Sequence, residues 1–154
     1  MKKTQVKIQK AISYSFEENA YLVHFDASKE CVVIDPGIEP DDLLEMLHEE
    51  KLQPVAVLVT HGHFDHIGGI SAVRETWPDC EIWTSEEEAK KLVNPVLNLS
   101  ATFGFPQTTP PVDRILQDGE EFAVAGLSFQ ALQIPGHSCG HLVFVLKEIG
   151  RAHV

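Results

Sequence analysis

Residues 55–69 read VAVLVTHGHFDHIGG. The first five form an apolar run with no polar alternation, which predicts a strand covered on both faces. Directly after it, His61, His63, Asp65 and His66 place three imidazoles and a carboxylate within six residues. In extended backbone, residues two apart point to the same side, so His61 and His63 can converge on one ion at the carboxyl end of their strand. Gly62 permits a close backbone approach, and Asp65 with His66 would project from the turn entering the next helix. The spacing differs from HExxH, whose ligands sit one helical turn apart. Imidazole with carboxylate suits zinc, iron or manganese, and the lack of clustered thiolates argues against a closed structural zinc site. The expectation is a metal centre with an open position, against the blander reading of ordinary surface histidines.

On the amino-terminal side, Val6 and Ile8 alternate with polar residues, residues 21–25 are apolar and residues 31–34 are mostly β-branched, so three strands are predicted. Pro40 and Asp41 look like a helix start, with Leu43, Leu44 and Leu47 on one face before Pro54. On the carboxyl side, Ile70, Val73 and Trp77 form a helical stripe, residues 81–84 a short strand, and Ser85 with Glu88 a capping box opening a helix through Leu92. Residues 94–112 carry four prolines and predict a long surface loop, a class that is often functional. Residues 122–124 and 127–134 predict a hairpin turning at Ala125 and Gly126, and residues 142–146 a further strand. The order β, α, β, α, β is that of an α/β (α+β) domain.

A chain of 154 residues with 44% hydrophobic content suits one ordinary domain. A formal net charge of −11 disfavours nucleic acid and anionic membranes as partners, since no basic patch offsets it. No run is long enough to span a bilayer, and the basic start (Lys2, Lys3, Lys7, Lys10) lacks the apolar core of a secretory signal. Cys31, Cys80 and Cys139 are scattered without a CxxC pair, which suits a reducing compartment and predicts a cytoplasmic location.

Among the remaining histidines, His137 lies in a Gly-flanked loop after a predicted strand, the placement of a ligand delivered from elsewhere in the fold. His141 opens a strand, where a supporting role is favoured over ligation. His24 and His48 read as scaffold. The run Glu86, Glu87 and Glu88 reads as a helix N-terminal turn whose charges favour the dipole. Cys139 reads as a small buried side chain.

Residues 60–69, THGHFDHIGG, resemble the HxHxDH signature of the metallo-β-lactamase superfamily. Residues 19–23 (NAYLV), 32–37 (VVIDPG) and 135–141 (PGHSCGH) agree with that family in order. The Pro-rich loop and the PGHxxGH segment resemble the short glyoxalase II-like hydrolases related to hydroxyacylglutathione hydrolase. The resemblance implies an αββα sandwich with metals at one edge. It implies that His61, His63 and His137 hold a first ion and that Asp65 and His66 hold a second, Asp65 also orienting the nucleophile. The implied cofactor is Zn2+, two ions in the complete site, with iron or manganese as alternatives. The implied chemistry is hydrolysis of a small-molecule substrate by a metal-bound hydroxide, with a thioester preferred over a β-lactam.

The sequence departs from the family pattern after residue 146. Neither the bridging aspartate nor the last histidine has a counterpart, and His153 follows the strand too soon. Only the first part of the fold is therefore expected, in a domain over residues 1–147 that is incomplete at its carboxyl end. Residues 148–154, EIGRAHV, match the translation of a common sequencing adapter and read as a non-native tail. Such a truncation predicts an open sheet edge beside residues 142–146, instability, and at most one tightly held ion. Two other functions compete with the hydrolase: a persulfide dioxygenase with mononuclear iron, and an inactive metal-binding fragment.

Overall fold

A computed structural model describes residues 5–134, 136, 138–148 and 151–153, the last three by their backbone alone. Two sheets and one helical layer make up the described chain. The larger sheet holds six strands in sequence order, β1 (Val6–Ile12), β2 (Asn19–Phe25), β3 (Glu30–Ile34), β4 (Gln53–Leu58), β5 (Glu81–Thr84) and β6 (Arg114–Ile115). The first three pair antiparallel, and β3 through β6 run parallel. The parallel part is joined by α1 (Asp41–Glu49), the single turn α2 (Phe64–Ile67) with α3 (Ile70–Thr76), and α4 (Glu86–Leu92). The second sheet is antiparallel, in the order β10 (Arg151–His153), β9 (Leu142–Leu146), β8 (Leu127–Gln133), β7 (Glu121–Val124).

The apolar runs in β3 and β4 follow from burial on both faces. Cys31, Val33, Val57 and Val59 join Leu43, Leu47, Ile70 and Val73 in a core under the helices. Their neighbours Val32, Ile34, Ala56 and Leu58 point the other way, into a core shared with Phe122, Phe129, Phe144 and Leu146 of the second sheet. A strand with period-2 side chains and apolar residues at every position can satisfy both cores only if it lies in the middle of an α/β/β stack.

The predicted strands and helices are present with small shifts. β4 starts at Gln53 and contains Pro54, tolerated because it sits where the pairing with β3 slips register between Cys31 and Val32. The hairpin turns at Ala125 and Gly126, both at positive φ (52° and 76°), as a two-residue connection between twisted strands requires. One strand is added and two expectations are corrected. β6 was not foreseen, since two residues carry no periodicity. The edge of β9 is not open: Arg151–His153 pair antiparallel with it, because a row of unpaired N–H and C=O groups takes up extended chain within reach. Cys139 is exposed, not buried, because its neighbours Ser138 and Gly140 turn inward.

Candidate metal centre

The carboxyl ends of β3, β4 and β5 lie side by side, so the segments leaving them meet. Backbone bonds from Asp35 N to Leu58 O (3.1 Å), Val59 N to Trp83 O (3.0 Å) and Leu142 N to Thr60 O (2.8 Å) carry that alignment past the ends of the strands. The crevice beyond the carboxyl ends of parallel strands is where open α/β sheets present their ligands.

Here the motif residues gather. The His61 ring lies 4.1 Å from that of His66 and 4.9 Å from that of His63, the latter pair perpendicular at 87°. His63 precedes α2 in extended conformation, and Asp65 and His66 stand on its single turn. Asp65 Oδ2 is 3.7 Å from His66 Nε2, so a carboxylate oxygen and an imidazole nitrogen face one spot. His141, read from the sequence as a supporting residue, has its ring 4.8 Å from that of His61. His137 lies outside the described residues.

Asp35, part of the VVIDPG segment but not singled out as a site residue, ties this group together. Its Oδ1 accepts the Thr60 N–H at 2.8 Å, and its Oδ2 accepts the Thr60 hydroxyl at 2.5 Å and His66 Nδ1 at 2.9 Å. It is 2% exposed. Because the Thr60 hydroxyl hydrogen goes to Asp35, the Thr60 oxygen accepts from His61 Nδ1 at 3.0 Å. Both imidazoles are thereby held with Nδ1 as donor and Nε2 as the lone-pair nitrogen, the tautomer a ligand needs. Asp35, His61 and His66 offer donor atoms within 4.8 Å of one another. Asp35 is engaged by Thr60 and His66, so the donor set the motif offers is the imidazoles of His61, His63 and His66 with the Asp65 carboxylate, a set that fits zinc, iron or manganese.

Burial lowers the His66 pKa, but the hydrogen bond to Asp35 and the charges of Asp35, Asp65 and Glu18 outweigh it and raise it overall. Glu18 is a second missed acid. It is 8% exposed, and burial pushes its carboxyl pKa up against the pull of Ser13 and His66. A third is Glu88, at 0% exposure. Ser85 caps α4 by accepting from Glu88 N, but the Glu88 carboxylate does not close the capping box. It turns instead to Gly62, Ser138 and Gly140. Glu86 and Glu87 are exposed, as a solvated first turn should be. A Ser–x–x–Glu pattern looks the same in sequence whichever way the glutamate turns.

The Pro-rich segment is ordered against the motif. Phe64 N donates to Asn98 O at 3.0 Å, and the buried Phe64 ring packs on Phe103 (4.9 Å), Phe105 (5.2 Å) and Phe16 (5.1 Å). Among the described residues no helix is long and apolar enough to cross a membrane.

The family model described as "Metallo-beta-lactamase superfamily" matches residues 15–150. The chain belongs to the metallo-β-lactamase superfamily. Within that superfamily it is 33% identical over 140 residues to a hydroxyacylglutathione hydrolase of Haemophilus influenzae, covering 87% of this chain and 63% of that relative. The chain thus spans less than two thirds of that relative's length. Among solved structures it superposes on the BLEG-1 B3 metallo-beta-lactamase with a TM-score of 0.88 and 32% identity, over 95% of this chain and 70% of that one. It also superposes on TTHA1623 in a di-iron-bound form, with a TM-score of 0.75 and 32% identity, over 94% of this chain and 69% of that one.

Proposed function

We propose that this chain carries the metal-binding part of a hydrolase that cleaves a thioester, of the hydroxyacylglutathione type, in the cytoplasm. In this reading His61, His63 and His137 hold one divalent cation and Asp65 with His66 contribute to a second position, zinc being the first candidate and iron the next. The observation that carries it is the Asp35–Thr60–His61 and Asp35–His66 hydrogen-bond pair, which presets two imidazoles as Nε2 donors toward a common space. Surface histidines without a ligand have no need of such an arrangement.

The division of labour follows from the side chains. Asp35 orients His66 directly and His61 through Thr60, and its burial keeps its three hydrogen bonds from exchanging with water. Asp65, half-buried on α2 beside His66, is placed to orient the attacking water. A bound divalent cation would supply the Lewis acid that polarises a carbonyl and makes water acidic enough to attack at neutral pH. A thioester suits the site because its thiolate leaves without a strong acid beside it. The relatedness to a hydroxyacylglutathione hydrolase supports that choice of substrate.

The test is metal content followed by thioester cleavage. Zinc-loaded protein is expected to hydrolyse S-lactoylglutathione, to lose that activity to a chelator, and to lose it on His61→Ala. A chain that retains no metal, or cleavage indifferent to the chelator, overturns the reading. Iron with oxygen uptake on a persulfide would point instead to the dioxygenase.

A further inference from the structure

Glu88 is a fully buried carboxylate with bonds to both loops that bear the histidines. Its Oε1 accepts Gly62 N–H at 2.8 Å, and its Oε2 accepts Gly140 N–H at 3.1 Å. Ser138 Oγ lies 2.7 and 2.8 Å from the two oxygens. Lys91 provides the compensating charge, 3.0 Å from Oε2, and also bonds to Ser138. Ser85 adds a further tie by donating to Gly140 O at 2.8 Å.

Both loops press on α4 so closely that only glycine fits. A Cβ on Gly62 would stand 2.7 Å from Lys91 Cβ, and one on Gly140 would stand 2.9 Å from Glu87 Cβ. Gly62 lies between His61 and His63, and Gly140 immediately precedes His141. One side chain therefore joins segments far apart in sequence, at the two places where their backbones can approach. A glutamate serving only its own helix would return to the N-cap amide, whereas this one turns to the amides of two other segments.

We propose that Glu88 is a positioning residue of the metal centre: it clamps the Gly62 and Gly140 backbones to one carboxylate and so sets how tightly the adjoining histidines hold a divalent cation. This rests on the metal-site reading above. Gln at this position keeps the shape but replaces one acceptor oxygen by an NH2 group, which faces one of the two glycine amides as donor against donor.

The experiment compares the wild-type chain with Glu88→Gln and Ser138→Ala. Cobalt(II) affinity is measured by chelator competition, the cobalt ligand-field spectrum is recorded, and amide exchange at Gly62 and Gly140 is followed without metal. Glu88→Gln is expected to lose protection at one of the two glycines, to bind cobalt roughly 10–100-fold more weakly, and to shift the spectrum. Ser138→Ala, which keeps the carboxylate and both amide bonds, is expected to weaken binding only by a few-fold. A Glu88→Gln chain with lowered melting temperature but wild-type cobalt affinity and spectrum has lost only a structural residue, which overturns the proposal. If Glu88→Gln does not fold, Glu88→Asp takes its place, since its shorter side chain draws the carboxylate back from the Gly62 and Gly140 amides, and wild-type affinity and spectrum in that chain overturn the proposal equally. Wild-type protein that binds no cobalt overturns the metal-site reading and this proposal with it, an outcome visible before any variant is measured.

Discussion

His66 Nδ1 and Asp35 Oδ2 lie 2.9 Å apart, joined across 31 residues of sequence by a hydrogen bond inside the protein. The same oxygen receives the Thr60 hydroxyl. Replacing Asp35 by Ala would leave the buried Thr60 N–H and the half-buried His66 ring donor without their acceptor. A loss of about 2–4 kcal/mol is expected in denaturant unfolding of the metal-free chain. Asp35→Asn, which keeps an acceptor, should lose less. Equal stability of Asp35→Ala and wild type would refute this role.

Glu88 predicts an acid limb in the stability profile. Burial raises its carboxyl pKa, but the bonds from Ser138, Gly62 N–H and Lys91 together outweigh that and hold it below the ordinary carboxyl value. A depressed folded pKa contributes stability that is complete above the unfolded pKa and is lost as pH falls through the folded one. Unfolding midpoints measured from neutral pH into acid should therefore fall more steeply for wild type than for Glu88→Gln. Parallel curves would exclude Glu88 as a source of the slope.

The three cysteines should separate by reactivity. Cys139 is exposed while Cys31 and Cys80 are buried, and burial pushes the Cys80 thiol up to about 12 and that of Cys31 higher still. A thiol reagent at mildly alkaline pH should modify Cys139 quickly in the native chain and all three only in denaturant. Rapid native modification of Cys31 or Cys80 would contradict the burial of the layer under the helices.

The core between the sheets gives a packing test. Phe129 is 0% exposed and stacks on Phe122 at 5.6 Å. Phe129→Ala should cost roughly 3–5 kcal/mol. Phe103 is 55% exposed beside the motif, and Phe103→Ala should cost under about 1 kcal/mol. A loss as small at Phe129 as that expected at Phe103 would mean that the two sheets do not share a core.

Much of the fold was legible because strands announce themselves locally. The two-sided burial of β3 and β4 was written in their unbroken apolar runs, and the hairpin in its Ala125–Gly126 turn. The motif was equally legible, since His61, His63, Asp65 and His66 are close in sequence and must be close in space. Less legible were β6 and β10, too short for periodicity, and the outward turn of Cys139.

By itself the sequence determined the order of the longer elements, the central place of β3 and β4 and the histidine cluster at the end of one of them, all properties of contiguous residues. Tertiary structure alone decided which distant groups serve that cluster. Asp35 arrives from β3 and Glu88 from α4, and the His141 ring comes to lie beside His61. No local pattern distinguishes a carboxylate that caps its own helix from one that holds another segment's amide. That difference exists only once parallel strands have brought their carboxyl ends together and burial has removed water as the competing partner.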